Sequence, residues 1–208
     1  MEFDIDNKKI NIFYKKNNEK SLPVIFINLY DEKGSYIWNE CKDKILNNFI
    51  LVCISNINWN DDLTPWENNQ IFKNVAYKGF ASEYLKFIEN EVITKVEEYI
   101  TNELNIEIKY YGMVGYSLAG LFSLYSAYKS DKFSRIASVS GSLWYPDFDK
   151  FIKENKISNS IDKIYLSLGN KEKISKNKYM STVEEKTEYI YNILKENDNY
   201  SIIYELNE

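Results

Sequence analysis

Apolar positions along this 208-residue chain follow two alternating patterns. Short dense runs at Leu22–Asn28, Phe49–Ser55, Ile106–Val114, Arg135–Ser140, Ile164–Leu168 and Ser201–Leu206 are rich in β-branched residues and predict strands. Ile10–Tyr14 alternates apolar and polar and predicts an early, half-exposed strand. Between them the period changes. Leu85, Ile88, Val92, Val96 and Tyr99 recur at steps of three and four, so Phe80–Ile100 is the longest predicted helix. Leu118–Tyr128 predicts a helix that starts directly from a turn. Val183, Thr187, Ile190 and Leu194 mark another, and Tyr36–Leu46 has room for one more.

Strands that alternate with helices predict an α/β fold, a mostly parallel central sheet with helices on both faces. Right-handed crossovers bring the C-terminal ends of the strands to one edge, where such sheets bind ligands. Asn28, Ser55, Gly115, Ser140 and Gly169 fall on that edge, each where a strand gives way to a loop. No repeat, linker or low-complexity tract divides residues 1–208, so one domain is expected. The sequence stops at Glu208, directly after a predicted strand, where a helix would ordinarily follow to cover the sheet. The expectation is a domain truncated at its C-terminus, without its last helix.

Charge and composition narrow the partners. A net charge of −5 offers no basic field to phosphates, so nucleic acid is not expected. Lys171, Lys173, Lys176 and Lys178 form a basic run that Glu172 interrupts, and it reads as a solvated loop. Two cysteines, Cys41 and Cys53, lack CxxC spacing, and the chain has no histidine, so zinc-ligand sets are excluded. No disulfide framework, no apolar leader in Met1-Glu2-Phe3-Asp4 and no membrane-length apolar run together point to the cytoplasm. Neither a metal nor another cofactor is expected. Oligomeric state is left open.

The chemistry centres on Gly115-Tyr116-Ser117-Leu118-Ala119-Gly120, set between a predicted strand and a predicted helix. A serine on so sharp a turn needs small second neighbours, and Gly115 and Ala119 supply them. Ser117 is the candidate nucleophile. The backbone N–H of Leu118, at the helix start, is a candidate oxyanion donor. A second donor is expected after the Leu22–Asn28 strand, from Leu29 or Tyr30. Glu172 is the nearest carboxylate beyond the Ile164–Leu168 strand and the candidate triad acid, against a plain solvent-facing glutamate. Trp59, Trp66, Tyr116, Ser142 and Trp144 lie on site-edge loops as candidate substrate contacts. Their rings either wall a substrate pocket or pack the loops down. The chain has no histidine to take the serine's proton, and loss of the base costs a serine hydrolase about a million-fold in turnover.

Together these segments resemble the esterase family of α/β-hydrolases that includes the trilactone siderophore esterases. The resemblance rests on Trp59 with Asp62-Leu63-Thr64-Pro65-Trp66, on Gly79-Phe80 with Glu83-Tyr84-Leu85 and Phe87-Ile88, and on the turn Gly115–Phe122. Ser140-Gly141-Ser142-Leu143-Trp144-Tyr145 and Leu168-Gly169-Asn170-Lys171-Glu172 complete it, in family order along nearly the whole chain. It implies an α/β-hydrolase fold and a serine esterase acting on a small ester. In similar proteins the catalytic histidine follows the last strand, so the resemblance implies a histidine just past residue 208. Relatives tend to carry an acid where this chain has Asn170, which moves the triad acid towards Glu172 or leaves a Ser–His dyad. A catalytically inactive relative that binds an ester-like ligand is the alternative.

Overall fold

The computed structural model describes residues 1–16, 18–30, 34–44 and 48–208. Its frame is an eight-stranded sheet. The strands are β1 (Glu2–Ile5), β2 (Lys8–Tyr14), β3 (Ser21–Asn28), β4 (Ile50–Ser55), β7 (Glu107–Tyr116), β8 (Phe133–Val139), β9 (Lys163–Gly169) and β10 (Ser201–Asn207). They are ordered β1-β2-β4-β3-β7-β8-β9-β10. From β4 to β10 every neighbouring pair is parallel; only β1 and β2 run against their neighbours. The mostly parallel α/β architecture expected from the pattern is therefore present.

Each predicted strand appears within a few residues of its expected bounds. The strand expected to break at Gly115 instead continues through Tyr116, because Gly115 and Tyr116 pair with Ser138 and Val139 of β8. β1 was not expected. It is joined to β2 through Asp6 and Asn7, both left-handed (φ 46° and 64°), which matches the twist of a tight hairpin. In β3, Leu22, Val24, Phe26 and Asn28 turn to the main core, and the alternate residues face the other side. Pro23 lacks an N–H, and the β3–β7 register shifts between Leu22 and Val24 to pass it.

The main core lies on one face, under α3 (Ala81–Phe87), α4 (Ile93–Tyr99), α5 (Leu118–Lys129), α6 (Phe148–Glu154) and α7 (Val183–Leu194). The predicted Phe80–Ile100 helix is a continuous helical segment over 81–104, in which π-helical stretches follow α3 and α4. Those extra residues let Ile88, Val92, Ile93, Val96 and Ile100 all reach the core. Asn105, left-handed at φ 54°, ends the segment, and the Ile106 N–H returns to the Ile100 carbonyl. α5 is buried from Leu118 to Ala127, so its Ser123 and Ser126 hydroxyls donate back to helix carbonyls. α7 buries Val183, Thr187, Ile190 and Leu194, the stripe its sequence predicts.

On the opposite face, α1 (Ser35–Cys41) covers the β2–β4–β3 side through a small cluster of Leu29, Leu51 and Cys53 with Ile37, Trp38 and Phe49. The helix expected over Tyr36–Leu46 is thus found in its first half; Ile45 and Leu46 lie outside the described residues. Across β7–β10 this face carries a shallow apolar depression of about 230 Å³ lined by Ile25, Val114, Ala137, Tyr165 and Ile203. Beyond the sheet's ligand-binding edge stand a helical turn, α2 (Trp59–Asp62), and a small hairpin of β5 (Asn68–Phe72) and β6 (Val75–Tyr77). Among the described residues no helix is long and apolar enough to cross a membrane.

Candidate active site

Ser117 sits between β7 and α5 with φ 58° and ψ −123°. A non-glycine residue in that region stores about 1–3 kcal/mol of strain and is held there by its surroundings. Those surroundings are backbone in near contact with backbone. A Cβ on Gly115 would lie 2.0 Å from the Ala119 carbonyl oxygen, and one on Gly120 would lie 2.9 Å from the Gly141 Cα. Strand and helix therefore meet backbone to backbone at Gly115, and at Gly120 and Gly141 the Ser138 hydroxyl is wedged against the helix and the loop after β8. The Ser117 N–H donates to the Val139 carbonyl (3.2 Å), and the Ser117 carbonyl accepts from Gly120, Leu121 and Ser142. Its hydroxyl is left at the site edge, 3.4 Å from the hydroxyl of buried Ser142. Leu118 opens α5, so its N–H has no partner within the helix and lies at the positive end of the helix dipole. Tyr116 beside it is 63% exposed.

The arm after β3 carries both expected donors, Leu29 and Tyr30. The Leu29 N–H already donates to the Ile54 carbonyl at 2.8 Å, extending the β3–β4 ladder by one residue. That bond engages the Leu29 N–H in the sheet. The arm is fixed from below. Asn28 accepts from the buried Tyr84 hydroxyl (2.5 Å) and donates to the Met113 sulfur. Burial holds the Tyr84 phenol well above its usual range, so it stays a donor. Next to it Asp62 accepts from the Asn58 N–H (3.0 Å) and pairs with Lys8 (3.6 Å). Burial pushes the Asp62 carboxyl up, while the Asn58 and Lys8 contacts act in the opposite direction.

Trp59 meets Tyr30 edge-on, with ring centroids 5.6 Å apart. The two rings, with Asn58, Asn60, Asp61 and Ala76, line an open depression of about 530 Å³. Trp66 and Trp144 behave differently. The Trp66 indole donates to the Pro146 carbonyl (3.0 Å) and packs on Tyr145, Phe148 and Phe151. Trp144 is 8% exposed. Trp66 thus packs on two rings of helix α6, which the sequence pattern does not predict, and on Tyr145 before it, while Trp144 packs on Tyr145. Ser142 is buried against Ser117, not exposed on a loop rim.

Glu172 lies on the exposed turn after β9. Its Oε1 accepts from the Ser140 hydroxyl (2.6 Å) and the Gly169 N–H (2.8 Å). Ser140, at φ 45°, follows β8, and its N–H donates to the Ser167 carbonyl. The Asn170 N–H donates to the Asn207 carbonyl (2.8 Å), which ties this turn to the end of β10. The loops after β7, β8 and β9 thus bring Ser117, Ser142, Ser140 and Glu172 to one edge. Among the described residues no set of His, Cys, Asp and Glu is arranged to hold a metal.

A mostly parallel sheet with a left-handed serine on the turn from a central strand into a buried helix defines the α/β-hydrolase class. Solved structures agree on the fold. EstB, a siderophore hydrolase from Aspergillus nidulans, matches with a TM-score of 0.75 and 15% identity over 100% of this chain and 87% of its own. An IroE-like serine hydrolase from Shewanella oneidensis matches at 0.75 with 16% identity over 97% and 69%. In sequence, YbbA of Bacillus subtilis strain 168, named an uncharacterized protein, is 26% identical over 180 residues, 84% of this chain and 71% of its own. The family model described as "Putative esterase" matches residues 33–200, and the chain belongs to that esterase family.

Proposed function

We propose that the protein is a serine carboxylesterase with Ser117 as its nucleophile. The observation that carries this reading is the strained Ser117 backbone, which sets a hydroxyl beside the unpaired Leu118 N–H. Ser117 Oγ attacks the ester carbonyl. The oxyanion forms against the N–H groups of Leu118 and Tyr30, where fixed donors stabilise developing charge more than water does. The proton from Ser117 goes to a histidine supplied from outside these 208 residues and then to the leaving alcohol. The same base activates water to hydrolyse the acyl-enzyme. Two features support an outside base: the sequence has no histidine, and the hydroxyl partner of Ser117 is Ser142, another neutral hydroxyl. The 208 residues alone are accordingly expected to be nearly inactive.

Glu172 orients that histidine. Both of its donors fall on Oε1, leaving Oε2 to accept from an imidazole, and the Asn170–Asn207 bond keeps the end of β10 beside it. Tyr30, Trp59 and Tyr116 present exposed or half-exposed rings to the substrate, and Ser142 borders the reacting centre. Siderophore esters come first among substrates to test, because solved neighbours include siderophore hydrolases and an enterobactin and salmochelin hydrolase.

The test is a panel of p-nitrophenyl acyl esters and a trilactone siderophore, given to the longest natural product of the gene and to its Ser117→Ala variant. Hydrolysis and fluorophosphonate labelling at Ser117 are expected in the first and absent in the second. The missing histidine favours one other reading, a ligand-binding relative without catalysis. Ligand binding with no label at Ser117 would establish that reading and remove the first.

A further inference from the structure

We propose that Ser140 is a positioning residue for Glu172, and that the turn Ser140-Gly141-Ser142 links the acid to the nucleophile. The inference rests on the esterase reading and adds to it a residue in neither the nucleophile turn nor the acid turn. Glu172 is exposed, and lysines stand on both sides of it in the chain. A free glutamate there would sample many rotamers. Here one oxygen, Oε1, takes the Ser140 hydroxyl at 2.6 Å and the Gly169 N–H at 2.8 Å. Two donors on one oxygen fix the carboxylate plane, and Oε2 has no partner among the described residues. A Cβ on Gly169 would stand 3.0 Å from Oε1, a tight contact that the glutamate would relieve by shifting. Lys173 is drawn away to Glu184 at 2.9 Å.

The backbone of Ser140 adds an independent argument. At φ 45° it lies in the left-handed region, where glycine sits without strain and serine does not. A serine that keeps this conformation supplies something glycine lacks, and its hydroxyl bonds to Glu172. The turn is anchored at both ends. The Ser140 N–H is held by the Ser167 carbonyl (2.8 Å), and the Ser142 N–H is held by the carbonyl of Ser117 itself (2.9 Å). A displacement of the turn therefore moves acid and nucleophile together.

The experiment compares Ser140→Gly, Ser140→Ala, Glu172→Gln and the Ser140→Gly/Glu172→Gln double variant in the longest natural product. It follows kcat and KM on a p-nitrophenyl ester together with thermal unfolding. Ser140→Gly relieves the backbone while deleting the hydroxyl. Its melting temperature should hold or rise and its KM should stay within about twofold, while kcat falls about tenfold, the scale of one hydrogen bond to a charged group. Ser140→Ala should lose the same factor in kcat. The double variant should be no slower than Glu172→Gln, because the hydroxyl acts only through the carboxylate. Wild-type kcat in Ser140→Gly, or losses that multiply in the double variant, would overturn the inference and leave the esterase reading standing. A wild-type protein with neither hydrolysis nor label at Ser117 would overturn both.

Discussion

Tight backbone packing holds the chain at Ser117, whereas at Glu172 hydrogen bonds near the surface, backbone and side chain together, hold it. The nucleophile turn has no room for an extra carbon at Gly115, and the helix behind it is buried through ten residues. The turn at Glu172 is exposed on every residue from Lys171 to Ile174, and two donors fall on one oxygen of its carboxylate. The first is damaged by adding an atom and the second by removing one. On the proposed reading, such a site would keep the serine fixed while the geometry of Glu172 stays adjustable by single side chains.

The largest expected effect on the rigid side is chemical. In the longest natural product, Ser117→Ala should lower ester turnover by about 10⁵–10⁶-fold, with circular dichroism and melting temperature unchanged. Next comes a steric effect. Gly115→Ala should lower stability by about 3 kcal/mol or more in urea unfolding, because the clash is with the Ala119 backbone and no rotamer relieves it. A melting temperature equal to wild type would show that the turn is looser than its contacts imply. On the adjustable side, Glu172→Gln should lower kcat by about a hundredfold and leave stability within about 0.5 kcal/mol, as an exposed residue does. Activity within twofold of wild type would instead assign the site to a Ser–His dyad. The smallest effect concerns the Tyr30 arm. Tyr84→Phe removes the bond to buried Asn28 and should cost about 1 kcal/mol in stability. A loss in kcat with KM unchanged would show that this bond also sets the oxyanion arm.

The difference between the two sides also decides what the sequence can disclose. The turn at Ser117 is legible because so sharp a strand-to-helix turn demands small residues at fixed spacing, and Gly115, Ala119 and Gly120 are visible as letters. The strands are legible because each is a dense β-branched run. α6 was missed because Phe148, Phe151 and Ile152 give barely two turns of periodicity after Pro146 and Asp147. With α6 unseen, Trp66 could not be assigned to packing. β1 was missed because its Glu2–Ile5 alternation is half charged, although Asp6-Asn7 is a hairpin signal that could have found it. The availability of the Leu29 N–H depends on a register one residue beyond β3, which no local pattern encodes. The Ser140–Glu172 bond joins residues on successive crossovers, so it emerges only once β8 and β9 lie side by side.

β3 has a further consequence for the growing chain. Its partners on its two edges are β4 and β7, and β7 is made only after the small hairpin and the whole 81–104 helical segment. During synthesis, Ser21–Asn28 therefore waits with the N–H and C=O groups of one edge unpaired, the condition in which strands of different molecules join. Pro23 lies in that waiting strand. It withholds an N–H from any stray partner, and in the finished sheet it falls where the β3–β7 register shifts, so it guards the nascent strand at a position where the native ladder is already interrupted.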